Sequence, residues 1–419
     1  MRKFITKQGS KQEELKPLSL EEIMLLGVEE RVKQALIRER GDYLKTMEGF
    51  RLENGNRAIV ANGFGETRAI QTPLGAVEME VPRTRNRGEI RNADGGLENF
   101  ESRIAPRYVR KSMTVEETIP LLYLHGLSTN DFIPALKKMF GEKASGLSPS
   151  SISRMLQGWK SEMEAWKKRD LKGKEYCYMW VDGIYFGARN STEDICVLVI
   201  IGATAEGKKE LITVEAGYRE SSESWRDVLL RLVDQGLKAP KLFIGDGALG
   251  FWKAARQIFP GVIRVQRCWV HKTANVLDKL PKSEQEQAKR MLQEIYMCGS
   301  KKDALRAFDR FVEVYGDKYP KAVECLVKDK EELLTFYDFP AVHWQSIRTT
   351  NPIESTFATA RLRSRKTRGN WSGGMTETMV FKLLEKASSR WHKLRGKKEV
   401  VAKVLAGVKY VDGLEQAAA

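Results

Sequence analysis

The chain lacks any run of apolar residues approaching the roughly 20 that a membrane-spanning helix needs, so no membrane partner is expected. Cysteine is scarce: Cys177, Cys196, Cys268, Cys298 and Cys325 are the five in 419 residues, and they show no paired spacing. That odd count argues against a disulfide framework. With an opening MRKFITKQGSKQEELKP that has no secretory apolar stretch, it predicts a reducing, cytoplasmic setting. No Gly-x-Gly-x-x-Gly follows the first apolar strand of the second half, which weighs against a nucleotide-cofactor enzyme. Fixed-period repeats and low-complexity tracts are also missing, so neither a solenoid nor a biased linker organises the chain.

What the chain has in excess is positive charge. Lys and Arg number 71 against 55 Asp and Glu, a net +16. Neutralising phosphates releases counterions, so a surplus of this size predicts an anionic polymer as partner. A solvated basic surface or a ribosome-associated role fits the same number. Hydrophobic residues at 42% and charged residues at 30% are those of a globular protein, and the length allows two or three domains.

Residues 1–70 read as a helical region, with Ile23, Met24, Leu25, Val28, Val32, Ala35 and Leu36 at helical spacing. Residues 71–170 read as a DNA-binding region. There Val77, Met79 and Val81 alternate as in a strand, and Arg83, Arg85, Arg87 and Arg91 follow as a basic loop suited to phosphates. Three short helices come next, TVEETIPLLYLHG, STNDFIPALKKMFG and SPSSISRMLQGWKSEM, each with a cap or a Gly stop. They fit a helix-turn-helix whose last helix would offer Ser150, Ser151 and Arg154 to a major groove, and a plain helical bundle fits equally. From 171 to 275 strands and helices alternate in the order β-β-β-α-β-α-β, that of an RNase H-like core rather than a doubly wound dinucleotide fold. Residues 276–344 keep a 3.6-residue period through Leu305, Phe308, Val312 and Tyr315 and read as an all-α insertion. The core resumes over 345–395, and 396–419 is a tail without a motif. The fold class is therefore α/β, an RNase H-like core with a helical insertion, preceded by a mainly helical DNA-binding region.

Three carboxylates fall where such a core would place a site. Asp182 follows the apolar run Tyr178-Met179-Trp180-Val181, where a buried acid is costly without a partner charge or metal. Asp246 stands where KLFIGD leaves its strand. Glu354 lies in the first turn of a helix signalled by Asn351 as cap and Pro352 after it. Each has a plainer explanation, as a turn former, a turn dipeptide or half of a capping box. As a set, their oxygen ligands suit two Mg²⁺ or Mn²⁺ ions, which clamp the attacking and leaving oxygens of an in-line phosphoryl displacement. Arg361, Arg363, Arg365, Lys366 and Arg368 crowd after Glu354, and Arg361 returns two turns on to the same helix face, ready for a phosphate. A solvated charged helix end is the alternative.

At these residues the chain resembles the Mutator-type transposases of bacterial insertion sequences, within the Asp-Asp-Glu transposase superfamily. The matching stretches are MWVDGIYFGAR, IGDGALGFWKAARQIFPG, QRCWVHKTANVLDKLPKS and TTNPIESTFATARLR, with TPLGAVEMEVPRTRNRG and YLHGLSTNDF upstream. The resemblance implies metal-dependent cleavage at a mobile element's end and strand transfer into target DNA, with Asp182, Asp246 and Glu354 as the metal ligands. It also implies that the amino-terminal half binds the terminal inverted repeats, that a homodimer or larger multimer forms on DNA, and that the protein works at the nucleoid. Cys268 and His271 form a Cys-x-x-His, half of a zinc set. No zinc is expected. The resemblance favours a local scaffold role for the pair near the acids, with an incidental thiol and imidazole as the alternative.

Overall fold

Apolar residues at helical spacing need a surface to lie on, and in the first part of the chain that surface is a long β-hairpin. In this computed structural model the described residues are 20–124, 149–186, 195–217, 221–247, 249–261, 263–366 and 373–416, with 134, 137 and 138. They fall into two compact units that divide between Met155 and Leu156.

In the first unit, α1 (Leu20–Thr46) packs on the hairpin of β1 (Ile59–Thr72) and β2 (Gly75–Asn86). The strands pair antiparallel from Thr72↔Gly75 to Ile59↔Asn86, and Gly75 takes φ 126 at the turn. Leu36, Ile70, Val77, Met79 and Ala105 form the small core, with Leu25, Val28, Val32 and Val81 against it. Ile23 and Met24, part of the same helical pattern, are 55% and 45% exposed. Two further expectations need correction. Arg83 and Arg85 lie on β2 itself, because the strand's alternation simply continues through them. The unit is also less helical than expected, since β1 (IVANGFGETRAIQT) carries Gly and polar residues that hide its strand character and breaks register between Ala61 and Thr67. Of the three short helices, α2 (Met113–Leu124) and α3 (Pro149–Lys167) are present, and the middle one lies outside the described residues save for 134, 137 and 138.

The second unit is built on β3 (Tyr176–Phe186), whose run YCYMWVDGIYF has no polar face to give to solvent and so must be covered on both sides. It is the middle strand of a mixed five-stranded sheet. With β4 (Ile195–Thr204), β5 (Lys209–Gly217), β6 (Leu242–Gly245) and β7 (Val265–Arg267), the order is β5-β4-β3-β6-β7. The first three pair antiparallel, and β6 and β7 run parallel to β3. Helices α4 (Ser222–Asp234) and α5 (Leu249–Ile258) carry the chain across to β6 and β7, giving the expected β-β-β-α-β-α-β order. Ser221 caps α4 by accepting from Ser224 N at 3.1 Å, and Trp225, Val228, Leu229 and Leu232 bury its inner face with Phe251 and Phe243.

After α6 (Trp269–Leu277) the stretch to 344 holds only helices and 3₁₀ turns: α7 (Lys282–Met297), α8 (Lys301–Tyr315), α9 (Pro320–Val327), α10 (Lys330–Leu334) and the turns at 335–338 and 341–343. On α8 the buried stripe is Ala304, Phe308, Phe311 and Tyr315, with Leu305 and Val312 half-buried beside it. Then come α11 (Trp344–Ile347), α12 (Asn351–Lys366), which packs on β3, and α13 (Gly373–Ser388), which packs on β5. The segment after 396 is ordered into this unit. Helix α14 (Lys398–Leu405) buries Val401 and Val404, and a short pair of strands follows, in which Tyr410 is buried.

Candidate active site

The parallel register between β3 and β6 decides what meets what. Val181 stands opposite Gly245, so the next residue of each strand, Asp182 and Asp246, emerges at the same level of the sheet. Between β6 and β7 Gly245 stands opposite Arg267, and Cys268 N donates to Gly245 O at 2.7 Å. Asp246 and Cys268 thus follow β6 and β7 at their carboxyl ends, and Asp182, within β3, stands at the same level. Asp182 is only 8% exposed, and its Oδ1 accepts from Gly183 N at 2.9 Å. Asp246 is half-buried and leads into Gly247 at φ 84.

The helix α12 reaches the same corner through Thr350. That residue is wholly buried, and its carbonyl accepts from Ile353 N and Glu354 N, which makes it, rather than the expected Asn351, the cap of α12. Its amide donates to Cys268 Sγ at 3.3 Å. Its hydroxyl lies 3.2 Å from Cys268 Sγ and 3.3 Å from His271 Nδ1, and it bonds Glu354 Oε1. His271 Nδ1 is in turn 3.5 Å from Glu354 Oε1. One buried hydroxyl therefore gathers a thiol, an imidazole and a carboxylate from elements far apart in sequence.

The electrostatics agree with this geometry. His271 is pushed up to about 9, first by its hydrogen bond to Cys268, against burial, and then by the charges of Cys268, Glu354 and Asp182. Asp182 and Glu354 therefore act on the same imidazole. Ligand atoms of Cys268, His271 and Glu354 lie within 4.8 Å of one another, so these three could hold a metal ion, whereas among the described residues Asp182, Asp246 and Glu354 do not form so close a group. Cys268, His271 and Glu354 supply three donors where a structural zinc takes four.

The other expected site residues are placed as follows. Arg361 is exposed on α12, two turns after Glu354; Arg363, Arg365 and Lys366 are on the same helix, and Arg368 lies outside the described residues. In the first unit Arg83, Arg85, Arg87 and Arg154 are exposed, and Ser150 and Ser151 lie in the first turn of α3. Sequence reasoning missed Thr350, although a Thr-Thr directly before Asn-Pro is a signal of a helix start. It also missed Arg267, Lys272 and Asp329. Lys272 is completely buried, ion-paired with Asp329, and donates to Cys325 O at 2.7 Å. An ammonium withdrawn from water this way is lowered in pKa, first by burial.

Comparison with known proteins gives a consistent result. The profile of the Mutator family of transposases matches residues 7–393. The chain is 48% identical over 299 residues to the transposase for insertion sequence element IS6120 of Mycolicibacterium smegmatis, covering 71% of this chain and 92% of that one. It is 48% identical over 283 residues to the transposase for insertion sequence element IST2 of Acidithiobacillus ferrooxidans, covering 67% and 94%. A transposase for insertion sequence element IS256 in transposon Tn4001, from Staphylococcus aureus, shares 28% over 336 residues, 79% of this chain and 81% of the relative. Among solved structures, a chain from the simian T-cell lymphotropic virus intasome in complex with PP2A regulatory subunit B56 gamma covers 55% of this chain and 72% of its own. It has 12% identity and a TM-score of 0.17, too weak a likeness to inform the fold.

Proposed function

We propose that this chain, which belongs to the Mutator family of transposases, cuts and joins DNA at a site made by Asp182, Asp246 and Glu354 on an RNase H-like core. Its function is DNA transposition. One observation carries the finer reading: Asp182 within β3 and Asp246 just past the parallel β6 stand at one level, and Glu354 is tied by Thr350 and His271 to the end of the third strand. Two carboxylates so placed, one of them 8% exposed, repel each other unless a cation lies between them. The donor set of Asp182, Asp246 and Glu354 is all oxygen, which fits Mg²⁺ or Mn²⁺. When bound, such ions supply Lewis-acid stabilisation of both oxygens in an in-line phosphoryl displacement.

The protein's own groups hold and orient. Thr350 and Cys268 fix the first turn of α12, which holds Glu354 against Thr350 and His271. His271, protonated beside Glu354, adds a positive charge where a DNA phosphate would lie. Arg361, on the same helix, extends that charge along the strand. The chemistry is hydrolysis at the element's end, in which water attacks phosphorus and a 3′-oxygen leaves. That 3′-hydroxyl then attacks a phosphodiester of target DNA, forming a new phosphodiester as the target strand's 3′-oxygen leaves. The first unit, with Arg83, Arg85, Arg87, Ser150, Ser151 and Arg154, would bind the terminal inverted repeats. Because two element ends must be brought together, the active form would be a dimer or larger.

The test is incubation of purified protein with labelled terminal-repeat duplex and Mg²⁺, mapping nicks and joined products. We expect Asp182→Asn, Asp246→Asn and Glu354→Gln each to lose cutting and joining by at least about a thousandfold while still shifting the duplex in a gel. Strand transfer by any of the three near the parent rate removes that residue from the site.

A further inference from the structure

Beside Asp246, on the side away from β3, a half-open cleft of about 510 Å³ is lined by Gly247, Trp252, Lys253, Arg256 and Arg267, with Asp329 and Glu332 at its far wall. The acids do not explain it, and its construction is specific. Arg267 is 9% exposed, yet its Nε has no hydrogen-bond partner. That atom lies 3.5 Å from Asp329 Oδ2, within ion-pair reach but outside hydrogen-bond geometry. Asp329 already neutralises the buried Lys272. Arg267 thus lines the cleft as a largely buried cation with one donor, Nε, left without a hydrogen bond, a costly state.

Gly247 shows how the chain makes room for it. At φ 84 the position favours glycine, and a Cβ built there would lie 1.2 Å from Arg267 Nη1. The guanidinium occupies the space where any side chain at 247 would go, directly after Asp246. At the mouth of the cleft Lys253 and Arg256 are exposed on α5, and Arg256 is 3.6 Å from Glu332. Three cations (Lys253, Arg256 and Arg267) line the cleft against two carboxylates (Asp329 and Glu332), leaving its lining net positive.

We propose that this cleft is a DNA-backbone site. It takes one phosphodiester of the strand that lies across Asp246, with Arg267 as its floor and Lys253 and Arg256 as its rim. The inference rests on the DNA-cutting reading above and adds a subsite to it. A tetrahedral anion matches a guanidinium fork and two flexible cations in a polar cleft, and a phosphate held here sets how the neighbouring phosphodiester meets the acids.

The test uses the full chain without divalent metal, so that the acids need not act. The affinity for a labelled terminal-end duplex is measured across a KCl series. We expect Lys253→Ala and Arg256→Ala together to weaken binding and to flatten the slope of log K against log salt by about 1 to 2. Glu332→Gln, which releases Arg256, should shift affinity the opposite way. The exposed pair Lys289→Ala with Arg290→Ala on α7 should leave the slope unchanged. An unaltered slope in the cleft variant, or an equal fall in the α7 variant, overturns the site. Failure of the three-acid reading would show separately, as continued cutting by Asp182→Asn, with the salt slopes unaffected.

Discussion

At the scale of single residues, the three proposed acids stood out in the sequence and the groups around them did not. Asp182 could be found because an acid inside an apolar strand is anomalous, and Asp246 because a strand ends on it. Glu354 was marked by the Asn-Pro helix start. Thr350's place at a helix start was readable from the Thr-Thr before Asn-Pro, but its role was not, since its contact with Cys268 spans 82 positions across the helical insertion and local pattern carries no such distance. Its role gives a sharp expectation. Thr350→Val keeps the shape but removes the hydroxyl that touches Cys268, His271 and Glu354. Losing that one group should cost about 1–2 kcal/mol of stability and lower strand cutting by more than about tenfold, through a misdirected Glu354. Thr350→Ser should recover most of the cutting. Titrating Mn²⁺ separates this from a general loss of packing: a positioning defect raises the metal concentration needed for half-maximal rate, whereas a merely destabilised protein regains the parent value at lower temperature. Full activity in the Val variant would show that Glu354 is held without it.

At the scale of elements, the strand and helix order of the second unit was readable because buried strands are apolar throughout and helices keep a 3.6-residue period. The hairpin partner β1 was not, because its glycines and polar residues break the alternation. Nor was the fastening of the insertion to the sheet. Tyr178 on β3 bonds His343 Nδ1 at 2.8 Å, and Trp180 Nε1 donates to Ser346 O at 3.0 Å, so the end of the insertion is pinned to the central strand. His343 is wholly buried and is pushed down to about 4, first by burial. Its folded value lies below the unfolded 6.5, so the neutral ring contributes stability that is complete above pH 6.5 and is lost as pH falls toward 4. The shift corresponds to about 3 kcal/mol at most. Chemical denaturation at pH 7, 5.5 and 4.5 should therefore show the parent losing more stability on acidification than Tyr178→Phe combined with His343→Leu, which has no imidazole to charge. Identical pH dependence in the two proteins would assign the acid sensitivity to other groups.

At the scale of the whole molecule, charge and chemistry divide between the two units. The second unit holds the carboxylates and the candidate phosphate cleft, while the first holds an exposed basic strand end. Successive outward positions on a strand are about 7 Å apart, so Arg83 and Arg85 project from the same face of β2, and Arg87, just past its end, is exposed as well. The unit has its own core in Leu36, Ile70, Val77, Met79 and Ala105. A fragment of residues 1–170, which keeps α3 whole, is therefore expected to fold and to bind terminal-repeat duplex without the second unit. Binding that depends on phosphates weakens with salt by a slope of about 0.9 per contact. Arg83→Ala, Arg85→Ala and Arg87→Ala together should flatten that slope by about 2 to 3 in both the fragment and the full chain, and should weaken repeat and unrelated DNA alike, since backbone contacts carry no sequence information. Ser151→Ala with Arg154→Ala should instead narrow the gap between repeat and unrelated DNA at fixed salt, because the first turn of α3 is where base edges would be read. Equal affinity of the parent fragment for both duplexes would move sequence recognition out of this unit, and an unchanged slope in the triple variant would leave the β2 arginines as plain surface.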